Sequence, residues 1–460
     1  MGELQAAAGF VDLRPAAGQW MTGYARRMVP ATGTHDPIMA RAVLLDDGRQ
    51  RFVIVSCDLL GFSSAVVDDI RRAIAAVTSI PADNVLICCT HTHSGPASMP
   101  MRGVMGHVDA TWLATAQDNI VRLVSRLPSR LQPARFAFGR VRVPHIAFNR
   151  QDSSHDIDED LTVISVEACA GFTIATVIQY AAHPVILGPR NLEYSGDYPG
   201  AAARHLERLR GGVGLYLQGA SGDAEPENQR ERGWGLGTFE DVERVGKRLA
   251  EAGADALIDA PRTGDVTLAV TSTFLDLPLD PPPTKEELDV LIEGWKAQRQ
   301  RALRGDGDPV AASMANAMLA WVQELEQALA MHSVPTSVKV ELFVAGINDI
   351  RLIAVPLEPY GDIALRVKQG LDPLKAVFLG YANGLYGYCV SRWAKEQGGY
   401  GPAQAHRWFG GQLTAIGLGA DELLIAESIR LAQSLQGNPR AREMLCCKDR
   451  EGTRDTVSDG

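Results

Sequence analysis

The sequence predicts a large mixed α/β domain with parallel and antiparallel strands, followed by a short, mainly helical C-terminal portion. Short apolar runs recur along the chain and stop at polar loops, helical periodicity separates several of them, and the stretch beyond Tyr400 reads as largely helical. A chain of 460 residues with a 46% hydrophobic fraction is long enough to bury a sizeable core. Its 45 basic and 55 acidic residues give a formal charge of -10 with no long basic block, which sets nucleic acid aside as a main partner.

The run RFVIVSCD at 51–58 ends in a carboxylate, and Val66, Ile70, Ile74 and Val77 then recur at helical spacing. VLICCT at 85–90 reads as a buried strand that stops at His91, so two strand ends carry Asp58 and His91. Open α/β sheets place ligands beyond such ends. A helix over about 110–124 leads to alternating segments at 134–143. FTIATVIQY at 172–180 and VGLYLQG at 213–219 each end at a polar loop, holding His183 and Asp223 respectively. Val242, Val245 and Leu249 mark a further helix, and 265–277 a long strand broken by Pro278 and Pro281–Pro283. Helices at about 285–303 and 312–330 form a helical cap or insertion within about 284–332. Strands follow at 336–347, 351–356 and 376–380, then a helix at 421–435. One hydrolase domain over 1–436 and a flexible tail at 437–460 are expected.

Seven cysteines, with no disulfide-framework spacing, fit a reducing compartment, and the early Asp12 and Arg14 do not suit a signal peptide. A cytoplasmic location is the expectation. No window is long and polar-free enough to cross a bilayer; peripheral lipid contact and a homo-oligomer are left open.

The segment CTHTHSGP at 89–96 carries the chemistry. Imidazole and carboxylate suit zinc, and a catalytic site keeps one position open beside three or four protein groups. Histidines at i and i+2 after a strand share a side while the backbone stays extended; the plain alternative is a histidine pair capping a turn. YAAHPVILG at 180–188 sets His183 at the end of another apolar run, so the two imidazoles can converge. Glu358 lies between the apolar LIAVPL and Pro359, where it could equally start a helix. Tyr388 and Tyr400 read equally as packed aromatics, and Arg150 as a partner of Asp152, Asp158, Glu159 or Asp160.

Taken together, MTGYA at 21–25, THTHSGP, FNR at 148–150, AAHP, GASGD at 219–223, PLEPYGDIALRVK at 356–368, GYANGLYGY and GGY at 398–400 resemble the neutral/alkaline, non-lysosomal ceramidase family, over nearly the whole chain. The resemblance implies a mixed-sheet metallohydrolase domain and a zinc-dependent amidase that splits the N-acyl bond of ceramide, with one zinc ion per chain. It implies His91, His183, Glu358 and Tyr388, the last as ligand or near-ligand, as the metal set. It further implies His93 as the group that orients substrate or moves a proton, and Arg150 and Tyr400 as donors to substrate oxygen. Where the family carries serine in a GD-x-S-P-N type turn, this chain has Glu225 within Gly222-Asp223-Ala224-Glu225-Pro226-Glu227. Serine attack is therefore disfavoured, and metal-activated water is the expected nucleophile. Glu225 reads as a general base, as a recogniser of a cationic or polyhydroxyl group, or as a plain turn residue. Asp223 reads as support for the loop or for a ligating histidine, and Asp58 and Asp197 as candidates to buttress the site. The substrate is expected to be a small molecule or lipid-like, ceramide-like or smaller and more polar. Hydrolysis of a glycosidic or ester bond and a catalytically silent ligand-binding protein are the competing readings.

Overall fold

In the computed structural model, which describes residues 3–435, eight strands form the principal sheet. They are β1 (Gln5–Asp12), β2 (Met39–Asp46), β3 (Arg51–Cys57), β4 (Val85–Cys89), β5 (Gln132–Arg142), β6 (Asp160–Ala168), β7 (Thr173–Tyr180) and β8 (Val213–Gln218). Their spatial order is β8-β7-β6-β5-β1-β2-β3-β4. The outermost pair on each side, β3 with β4 and β7 with β8, runs parallel, and every pair between them is antiparallel. Parallel neighbours need a crossover. Helix α1 (Ser64–Val77) provides it on one side and α3 (Asp197–Arg210) on the other, accompanied by α2 (Ala110–Ser125) and α4 (Phe239–Asp255).

Side-chain alternation decides the layering. Along β3, Val53, Val55 and Cys57 pack beneath α1 and α2, while Phe52 and Ile54 face the other way. Along β6, Leu161 and Val163 pack beneath α3 and α4, while Ile164 and Val166 face the other way. The residues turned from the helices in both halves share one apolar cluster, so the sheet folds back on itself into a helix-strand-strand-helix stack. The Ser56 hydroxyl ties the halves by donating to the Tyr216 carbonyl at 2.5 Å.

A second sheet closes this central core. Strands β9 (Leu268–Pro278), β10 (Ser337–Ile347), β11 (Ile350–Ala354) and β12 (Lys375–Leu379) lie in that order, with β11 and β12 parallel. Between β9 and β10 the chain makes a helical hairpin, α5 (Lys285–Leu303) and α6 (Ala311–Ala330); α7 (Gly361–Leu371) links β11 to β12, and α8 (Ala420–Ser434) packs beside it. Phe343, Ala345, Leu352 and Val377 join the central cluster, whereas Leu342, Val344 and Ile353 face α7 and α8. Three parallel strand pairs thus deliver their carboxyl-terminal loops to one place. Residues 380–383 run between two of them: Gly380 N–H donates to Gln218, Cys89 N–H to Tyr381, and Asn383 N–H to Ile87, at 3.2, 3.0 and 2.7 Å.

One local expectation is corrected, and one helix was not read. The buried stripe of α1 is Val67, Ile70, Arg71 and Ile74, and Val77 is exposed. Helix α3 was masked in the sequence by Pro199 and Gly200, yet both sit in its first turn, where proline removes no intrahelical hydrogen bond. The tail expected at 437–460 lies outside the described residues.

Candidate metal centre

His91 lies two residues beyond the end of β4, with a left-handed φ of 67°. That conformation is uncommon for a residue with a side chain, and such strain persists where surrounding contacts hold it. Here His91 N–H donates to the Leu59 carbonyl at 2.9 Å, and its Nδ1 lies 2.8 Å from the Leu60 carbonyl. His183, beyond β7, donates its N–H to Ala224 at 2.8 Å and sets Nδ1 3.0 Å from the Ser221 carbonyl. A carbonyl only accepts, so both Nδ1 atoms carry the proton and both Nε2 atoms present lone pairs.

Those two Nε2 atoms are 3.2 Å apart, and the Nε2 of His93 is 3.3 Å from that of His91. Glu358, three residues before the α7 start, brings Oε2 to 3.3 Å from His91 Nε2 and 3.9 Å from His183 Nε2. That oxygen is buried and has no hydrogen-bond donor. Two deprotonated nitrogens and an unpartnered carboxylate oxygen repel one another unless a cation lies between them. Ligand atoms about 2.0 Å from a tetrahedral zinc ion stand roughly 3.3 Å apart, which is the spacing of His91 Nε2 from the other three atoms. The three imidazoles form a group able to coordinate a metal ion, and Glu358 supplies the charge that matches it.

His93 enters this cluster because Gly23, at φ 99°, has no side chain: a Cβ there would lie 2.5 Å from His93 Cγ. Burial foremost, with the nearby Arg27 and Arg150 guanidiniums adding to it, holds the His93 pKa well below its ordinary value. His183 is lowered in the same sense, by burial first. The Tyr24 ring stands across His93 at 5.0 Å, and buried Arg27 donates to the His93 carbonyl at 2.8 Å.

Arg150 pairs with none of the four acidic neighbours considered in the sequence. Its guanidinium donates to Glu225 Oε2 at 3.1 Å, to the Gly222 carbonyl at 2.7 Å and to the Tyr388 hydroxyl at 2.9 Å. Glu225 and Tyr388 are thereby linked through one cation. Tyr388 also pairs with Glu358 in a short parallel ladder, and Tyr400, half-exposed, sets its ring across Tyr388 at 6.0 Å. Burial, then the Glu358 charge, raises the Tyr388 pKa well above 10.

The supporting aspartates lie elsewhere. Asp223 accepts from Asn149 and from Gly361 N–H, both at 2.8 Å, anchoring the start of α7. Asp58 accepts from Arg41, and Asp197 from Leu187 and Tyr198 N–H. Among the described residues no aspartate bonds His91 or His183; the backbone carbonyls of Leu60 and Ser221 hold them instead. Sequence reasoning missed Tyr381, whose ring lies 4.1 Å from that of His91 and whose hydroxyl bonds Ser221 at 2.8 Å. Its signal was the GYAN segment, quoted for resemblance but given no role.

Residues 8–222 match the family described as neutral/alkaline non-lysosomal ceramidase, N-terminal. Over that stretch the chain is similar to the neutral/alkaline ceramidase family. It is 27% identical to the neutral ceramidase of Pseudomonas aeruginosa over 259 residues, 51% of this chain and 38% of that protein. The neutral ceramidase of Mycobacterium tuberculosis is 26% identical over 241 residues, 47% of this chain and 37% of its own. The matched stretch thus spans under two-fifths of either ceramidase. The crystal structure of the Pseudomonas neutral ceramidase superposes with a TM-score of 0.69, covering 95% of this chain and 76% of that one at 21% identity. A ceramidase complexed with C2 superposes at 0.70 and 19% identity over the same shares. At these identities the superpositions establish the ceramidase fold.

Proposed function

We propose that this chain is a zinc-dependent hydrolase that cleaves an N-acyl amide by attack of water. The observation that carries the proposal is the convergence of two imidazole lone pairs, 3.2 Å apart, on the unpartnered buried oxygen of Glu358. His91, His183 and Glu358 would hold the ion, with Tyr388 beside Glu358. Bound there, zinc supplies Lewis acidity that polarises a carbonyl and acidifies water.

The rest falls to the chain's own side chains. His93, kept neutral by burial, accepts a proton from the attacking water and returns it to the departing amine. Tyr388 accepts from Arg150, so its own proton remains free to donate toward the oxygen that gains charge. Arg150, bonded to Glu225 and to the Gly222 carbonyl, acts through the Tyr388 hydroxyl that it holds. Tyr400, at the mouth, steadies the substrate. Helices α5 and α6 serve as a cover there: the turn between them is tied to the Tyr24 loop by the Arg26–Asp308 pair at 2.5 Å.

Metal analysis with product-resolving mass spectrometry, on a panel of ceramides, short N-acyl amides, esters and glycosides, tests this. Stoichiometric zinc and release of acid plus amine are expected, with both lost in His91→Ala and Glu358→Ala. Cleavage of another bond would overturn the amidase assignment, and zinc without turnover would leave a ligand-binding protein.

A further inference from the structure

We infer that Glu225 is a specificity-determining residue: it selects substrates whose amine portion carries a hydrogen-bond donor, a hydroxyl or ammonium, close to the scissile nitrogen. The inference rests on the hydrolase reading above and names the substrate class for that site.

The backbone fixes where Glu225 lies. Ala224–Pro226 pairs antiparallel with Ala147–Asn149, and Ala224 is the residue whose carbonyl receives the His183 N–H at 2.8 Å. Glu225 is therefore the next residue after the segment that holds a candidate metal-binding imidazole. Its side chain is 7% exposed, so the carboxylate is nearly enclosed. Oε2 accepts from Arg150 at 3.1 Å, while Oε1 has no hydrogen-bond partner among the described residues and touches solvent. One oxygen thus anchors the carboxylate, and the other faces open space as an acceptor.

An enclosed acceptor without a partner is costly beside a group that cannot donate and favourable beside one that can. The asymmetry makes it a filter: sites built to pair a hydroxyl or amine reject the analogue lacking it far more strongly than apolar pockets separate homologues. Arg150 takes up much of the carboxylate's charge, so a neutral hydroxyl suffices as the matching group and a cation is not required. Because Arg150 also holds Tyr388, a donor seated on Glu225 lies on the same linked set of groups that faces the reacting carbonyl.

The probes are 3-amino-1-propanol and n-butylamine, titrated calorimetrically into zinc-loaded protein, together with the hexanoyl amide of each as a substrate. The expected result is a preference of tenfold or more for the aminoalcohol and for its amide. That preference should be lost or reversed in Glu225→Gln, whose carbonyl still accepts from Arg150 while its amide turns the open acceptor into a donor. Glu225→Ser, with a thermal melt to confirm folding, checks that the effect follows the carboxylate. Equal affinity for the two amines, or a preference unchanged in Glu225→Gln, overturns the inference. A Glu225-dependent preference in binding with no hydrolysis of either amide sustains it while overturning the amidase reading.

Discussion

That His91, His183 and Glu358 converge was legible in the sequence, from apolar runs that end beside them and from the family resemblance; what holds them was not. His91 and His183 owe their tautomers to the carbonyls of Leu60 and Ser221, and a carbonyl leaves no trace in residue type. Asp58 and Asp197 were visible as acids and turned out to bond elsewhere. Asp197 makes its own prediction. Burial pushes its carboxyl pKa up to about 7, and backbone N–H groups of Tyr198 and Leu187 only partly offset this. In the unfolded chain it titrates near its ordinary value of about 3.9. Between those limits the folded state binds the extra proton, so this group's contribution to stability falls as pH rises from about 4 to 7. Asp197→Asn has no such proton and tolerates the left-handed φ of 51°. Its melting temperature relative to the parent protein should therefore rise between pH 5 and pH 8, by about 2–4 °C at this chain length. A difference that stays flat across that range would show that Asp197 is ionised throughout.

Elements were legible where periodicity was strong. Residues 85–90, 172–180, 213–219 and 336–347 were read as strands and correspond to β4, β7, β8 and β10. β1, with its alanine-rich QAAAGFVD, lacks the branched apolar signal and was not read. The hairpin helices emerged close to their expected bounds because each carries a long amphipathic pattern, and α5 starts at a Thr284–Glu287 capping box. The hairpin has its own small core around Trp321, which is 1% exposed and donates to the Leu413 carbonyl at 2.9 Å. Trp321→Ala should cost about 3–5 kcal/mol of local stability. Hydrogen exchange should show faster amides in α5 and α6 while β4 and β7 keep their protection. Equal acceleration throughout would mean that the hairpin and the sheets unfold as one unit.

For the molecule as a whole, the pairing of strands was beyond the sequence, since local pattern does not say which strands neighbour one another or that a sheet folds back. That arrangement makes metal binding a global event, because His91, His183 and Glu358 come from three different parallel pairs. At a free zinc concentration of about 100 times Kd, binding should add about 2.7 kcal/mol. An unfolding entropy of roughly 1 kcal/mol/K for this length turns that into about 3 °C of melting temperature. Calorimetry of chelated and reloaded protein should show the increment in the parent and not in Glu358→Ala. The segment 380–383 has a separate effect. β4 and β8 are the two terminal strands of an eight-stranded sheet, and a terminal strand ordinarily offers a ladder of free N–H and C=O groups to any passing chain. By bonding Cys89 and Ile87 on one side and Gln218 on the other, these four residues occupy both ladders at the end nearest the histidines. The loop that carries Tyr381 therefore also guards the sheet against edge-to-edge aggregation, and replacing it by a flexible linker would expose a self-association surface as well as disturb the site.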